Sequence, residues 1–317
     1  MRRTRFRLLW PLALGVALLA GCSKKHEAPT DTAGSPEDAA LALLPPLHEG
    51  RFADFWKQAL PPADYQHLRQ DWTRTDPEAD PVTDEDRAKY ADAMHQLTEP
   101  DAEKKLFVEI RPKLLQYDKE YRDQMPLMAG IFQSMALTAI DQTKQLTHVE
   151  KQQVRDILAV VATWVQQVPW GDQDKARQAI AALTDTARSL QPGTLDQMRA
   201  LDFNASLVQY GKAWGGLKRL LAVYGLSLDQ CFDSATVETL EASDSSAHLR
   251  IHYVLLGTRL ATEVTMIKLD GHWYDNDLIT RVRAAHGRLA PEPAPVPASS
   301  AALPAGSPVA TAGSSAR

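Results

Sequence analysis

Along most of this chain apolar residues recur every three to four positions, and near residue 233 the spacing changes to alternation. The first pattern predicts amphipathic helices and the second half-buried strands. Phe52, Phe55, Trp56 and Leu60 mark a helix over 51–60 that stops at Pro61-Pro62. A shorter helix over 36–44 precedes it and another over 63–72 follows. Thr83 with Asp86 has the form of a capping box and starts a helix that runs to Leu97; Thr98-Glu99-Pro100-Asp101 repeats the start signal. The strongest stripe is Tyr121, Met125, Met128, Phe132, Met135 and Ala139, where Pro126 kinks the helix or begins a new one. Thr147 and Glu150 form another capping box. The helix after it carries Val154, Ile157, Leu158, Val161, Trp164, Val165 and Val168, and ends at Pro169. Two more helices are expected over 172–190 and from about 204 to 224, with Gly225 as the stop of the second.

Beyond Asp233 three alternating stretches, over 235–242, 248–256 and 259–269, read as strands. Asp270-Gly271 is a two-residue hairpin signal, and His272-Trp273-Tyr274 begins the return strand. Four short antiparallel strands need cover on one face, and the preceding helices can provide it. The expected class is therefore α+β: a predominantly helical body over 36–232 and a small antiparallel β-meander over 233–289 packed on the helices. The closing Lys268-Leu269-Asp270-Gly271-His272-Trp273-Tyr274 resembles the last strands of NTF2-like domains, over about 45 residues. That resemblance implies a curved sheet around helices and a cone-shaped pocket, with no particular catalytic residue.

The two ends of the chain have a different character. Arg2, Arg3, Arg5 and Arg7 precede an apolar run over 8–20. The run is too short for a span of about 20 residues but has the length and flanks of a secretory signal. Leu19, Ala20, Gly21 and Cys22 close it. These residues resemble the lipobox of bacterial lipoproteins. The resemblance, confined to about the first 23 residues, implies cleavage after Gly21 and lipid on Cys22, which then attaches the protein to a membrane. Ser23 in place of Asp points to outer-membrane rather than inner-membrane sorting, facing the periplasm. Residues 22–35 read as a flexible tether. Residues 290–317, rich in Ala, Pro and Ser without an aromatic residue, read as a disordered tail.

Charge and cysteine content narrow the function classes. Removing the four N-terminal arginines from the 35 basic residues leaves 31 against 40 acids, a net charge of −9 for the mature chain. That balance disfavours nucleic acid as a partner. With Cys22 lipidated, Cys231 is the only thiol left, and it reads as a small buried hydrophobe. No nucleophile elbow, metalloprotease helix, P-loop or dinucleotide fingerprint occurs. No catalytic residue, cofactor or metal ligand is selected.

The remaining candidates each have a plainer reading. Asp76, Glu78 and Asp80 start like a calcium loop, but Pro81 and Arg87 replace the Gly and Glu that such a loop requires. Asp275-Asn276-Asp277 reads as a strand end capping a turn. His248 and His252 lie about 13 Å apart on one strand face, too far to share a metal; His272 could approach His252 across the sheet. His148 belongs to a helix first turn. The methionine stripe reads as core, with an adaptable groove for an apolar ligand or partner helix as its other reading. Trp164, Trp170 and Trp214 read as core too. The leading expectation is a non-enzymatic protein-binding or assembly module, held at the cell envelope with an envelope protein as partner. The alternatives are a module binding an apolar small ligand or lipid in a pocket between sheet and helices, and a cell-wall or lipid hydrolase with an unrecognised site.

Overall fold

In a computed structural model of the chain, residues 34–74, 81–143, 146–190 and 193–289 are described. The signal segment with its lipobox, nearly all of the tether, the acidic loop 76–80 and the tail lie outside the described residues.

The fold is α+β and mostly helical, as expected. Four helices open it: α1 (Pro36–Ala42), α2 (Leu44–Glu49), α3 (Phe52–Ala59) and α4 (Pro62–Asp71). Next come α5 (Asp84–Thr98), started by the Thr83–Asp86 capping box, and α6 (Ala102–Gln116). A π-turn over Tyr117–Tyr121 and a 3-10 turn over Arg122–Gln124 separate α6 from α7 (Met125–Gln142), so Pro126 begins a new helix rather than kinking an old one. The Thr147–Glu150 box starts α8 (His148–Gln167). The rest of the helical body is α9 (Gln173–Ser189), α10 (Leu195–Arg199), α11 (Phe203–Val223) and α12 (Leu228–Asp233).

The sheet is a simple meander of β1 (Thr236–Ala242), β2 (Ser246–Leu255), β3 (Thr258–Leu269) and β4 (His272–Asp275), each antiparallel to the next. Strand β2 shows the alternation most clearly: Ala247, Leu249, Ile251, Tyr253 and Leu255 are buried. Residues His248, Arg250, His252 and Val254 take the other face. The buried face meets Phe55, Leu60, Leu226, Leu228, Cys231 and Phe232 in the main core. Helix α1 covers one end of it, with Ala40 against Ala247, Leu249 and Met266.

The expected meander over 233–289 is too long. It ends at Asp275, and Asn276–Leu289 is a helix, α13. The Asp275-Asn276-Asp277 signal caps that helix: Asp275 Oδ1 accepts from the backbone N–H of Asp277 (2.8 Å) and of Leu278 (3.0 Å). Leu278, Ile279 and Val282 then pack into the core. Charge fastens α13 to α4. Arg283 donates to both carboxylate oxygens of the buried Asp64, Nε at 2.9 Å and Nη2 at 2.8 Å. His286 Nδ1 lies 2.6 Å from Asp71 Oδ2, with the ring stacked on His67 at 4.1 Å.

Arg283 itself is half exposed while Asp64 is nearly enclosed. Arg283→Ala should therefore destabilise the fold by about 2 kcal/mol, because it leaves a buried carboxylate unpaired. Arg87→Ala, which breaks an exposed pair with Asp196, should cost far less, because solvent screens such a pair. Urea unfolding of the two variants checks the contrast.

Candidate functional site

Two features stand out among the described residues: a cavity beside the sheet and the outer face of α7. The cavity, of about 170 Å³, lies among the first turn of α8, strands β2 and β3, and the start of α13. Its volume falls below the roughly 300 Å³ at which small-molecule sites begin. His148, Glu150, His248, Glu263, Asp275 and Arg281 are among its lining, and most of this charge is spent internally. Arg281 pairs with Glu150. Glu263 accepts from Arg250 Nη2 at 2.8 Å and lies 3.2 Å from His248 Nε2. Deeper in, Thr262 donates to Gln153 Oε1 (3.0 Å), and Gln153 Nε2 reaches Tyr253 Oη at 3.4 Å. Burial pushes the Tyr253 hydroxyl up to about 12.

Asp275 keeps a little solvent exposure but is densely surrounded by protein, and that burial pushes its carboxyl above the usual aspartate value.

The histidines do not converge. His252 pairs with Ala261 on β3 and His272 with Leu269, which puts the two about 26 Å apart along the sheet. His252 instead contacts Glu238 at 3.1 Å. Among the described residues no three His, Cys, Asp or Glu side chains are close enough to hold a metal ion. Cys231 is fully buried, as expected, and burial pushes its thiol up to about 12. Trp164 and Trp214 pack against the core, Trp164 donating to Tyr224 O at 3.0 Å and Trp214 lying against Phe52 and Phe232, while Trp170 sits outside it against Trp164 and Tyr224 and donates to Val165 O at 2.8 Å.

The methionine stripe overturns its expectation. Helix α7 packs on α8, which in turn lies on β3, so α7 forms an outermost layer. The side turned to α8 carries Met125, Ala129, Gln133, Ala136, Leu137 and Ile140. Five large apolar residues point away: Leu127 is 70% exposed, Met128 40%, Ile131 53%, Phe132 65% and Met135 64%. A helical period identifies a stripe but does not say which side of a two-sided apolar helix meets the core. No ionisable residue occurs from Gln124 to Ile140, and Asp141 is engaged by Arg155. The polar side chains on the outer face are internally satisfied, Ser134 donating to Gly130 O and Thr138 to Ser134 O, both at 3.0 Å. An apolar helix is normally buried on every side, and contiguous exposed apolar patches of this kind mark interaction surfaces.

No known protein family, curated protein or solved structure matches this chain. The reading of the site therefore rests on its own geometry. No described helix is long and apolar enough to cross a membrane. The sequence signal for this surface was the absence of charge over 124–140, which the stripe alone did not convey.

Asp275 yields a testable consequence. Its raised value means that stability falls as pH rises above 3.8, because the folded chain holds the proton longer. Asp275→Asn keeps the cap and removes the buried charge, so it should match or exceed the parent at pH 7, with the difference closing below pH 3.8. Asp275→Ala loses the cap and should fall about 1 kcal/mol below the Asn variant. Melting curves across pH check both.

Proposed function

We propose that this protein is a lipid-anchored, periplasm-facing component of the bacterial cell envelope that acts as a non-enzymatic docking or assembly module. The observation that carries the docking reading is the outer face of α7, where five large apolar side chains are left without cover among the described residues. Such a face costs solubility and contributes nothing to the folded core, so its retention fits a surface that is covered in the working state. The pairing of Glu150 with Arg281 and of Glu263 with Arg250, and the capping role of Asp275, fit the non-enzymatic part of the reading.

The anchor part rests on the lipobox resemblance of Leu19, Ala20, Gly21 and Cys22. Two or more acyl chains on one residue give stable attachment. The chain from Cys22 to Ser35 reaches at most about 45 Å, which would hold the start of α1 within that distance of the membrane surface. Ser23 favours the outer membrane.

Cys22→Ala should abolish lipid labelling and move the protein from the membrane fraction to the soluble periplasm; unchanged membrane association would remove the anchor from this reading. A photo-crosslinking residue at Phe132 or Met135 of the full chain, expressed in cells, should form a stoichiometric protein adduct. The same residue at the exposed Lys89 of α5 should form none. Uncrosslinked chain alone at both α7 positions would refute the docking role.

A further inference from the structure

We propose that the occupant of the α7 face is a second copy of this chain, so that the module pairs with itself, helix against helix. The inference rests on the docking reading and names its partner.

Three observations select a second copy. The first is shape. On the outer face Leu127, Ile131 and Met135 form a row at i, i+4 and i+8, all at least half exposed. Beside it runs a row of smaller residues, Gly130, Ser134 and Thr138, at the same spacing. A Cβ built on Gly130 would meet nothing within 4 Å, so this groove is empty. Ridges along i±4 rows fit grooves along i±4 rows, at a crossing near −50°. A face that holds both ridge and groove is complementary to itself under a twofold axis, where each copy presents the same patch. A bilayer surface has no ridge to place in the groove.

The second observation is charge. The mature chain carries 31 basic and 40 acidic residues, so two copies carry net charge of the same sign. The stretch from Gln124 to Ile140 has no ionisable side chain, and two copies can meet there without opposing like charges. Helices that lie on membranes carry basic polar faces; α7 has no basic residue from Gln124 to Ile140. Nothing on the face selects an acidic or a basic foreign partner.

The third is size. At roughly 100 Å² for each half-exposed large side chain, the five residues offer about 500 Å² per copy. Two copies then bury about 1,000 Å², the lower limit of a specific interface. The pair should be weak in dilute solution and favoured where tethering on one surface raises the effective concentration.

The Ser134 and Thr138 hydroxyls are already bonded to the backbone of their own helix. Docking therefore strands neither group.

Disulfide trapping in cells expressing the full lipid-anchored chain tests this. The native Cys231 is fully buried with its thiol pushed up to about 12, and it stays silent, so an introduced cysteine reports alone. Ile131→Cys or Ser134→Cys should give a disulfide-linked band at twice the chain mass under mild oxidation; Lys89→Cys should not. Two differently tagged copies should co-purify. Phe132→Asp should reduce that co-purification at least tenfold at unchanged cellular abundance, and Met135→Lys serves in its place if abundance falls. A cysteine adduct to a different protein alone would overturn self-pairing while leaving the docking reading intact. Protection of Ile131→Cys from a membrane-impermeant thiol reagent, with no protein adduct, would indicate a lipid surface and overturn the proposal. Full reactivity at every α7 position, with no adduct, would overturn both readings.

Discussion

Strand β2 buries every second side chain from Ala247 to Leu255, and the need to cover that one face organises the molecule. A four-stranded meander this small is not stable alone. Its apolar side draws in α1 at one end, α12 and the Phe55–Leu60 segment at the centre, and α13 after the last strand. The buried Gln153 of α8 joins the same side by bonding Thr262 of β3 and Tyr253 of β2. The layers therefore follow in order: sheet, then α8, then α7.

That order explains why α7 is left bare. Helix α8 is used on two sides, by β3 and by α7, and its side chains are mostly half-buried. Helix α7 has only one of its sides occupied, and the occupied side carries Ala129, Gln133 and Ala136 rather than Phe132 and Met135. Met125, Leu137 and Ile140 supply the larger contacts on that same side. Leu127, Met128, Ile131, Phe132 and Met135, turned outward, form the surface on which the functional proposal stands.

Much of the architecture was legible from local signals. The capping boxes at Thr83 and Thr147 begin α5 and α8 as expected, because a cap is settled by residues three apart. The alternation after residue 233 and the Asp270-Gly271 turn yield the meander for a similar reason. Helix α13 was missed because Asp275-Asn276-Asp277 serves equally as a turn or as a cap, and only the packing of Leu278, Ile279 and Val282 against the core decides between them. The pairs Asp64–Arg283 and Asp71–His286 join residues more than two hundred positions apart, beyond the reach of any spacing rule.

The amino-acid sequence by itself determined the capped helix starts at Thr83 and Thr147, the strand periodicity, the α+β class and the long uncharged stretch around α7, since each depends on neighbours within a turn or a hairpin. It also carries the lipobox resemblance at Cys22. Tertiary structure alone decided which side of α7 faces inward. Periodicity gives a helix its stripe, but a helix with apolar residues on both sides has two, and the choice between them depends on the contour of α8 and on what that helix must already cover.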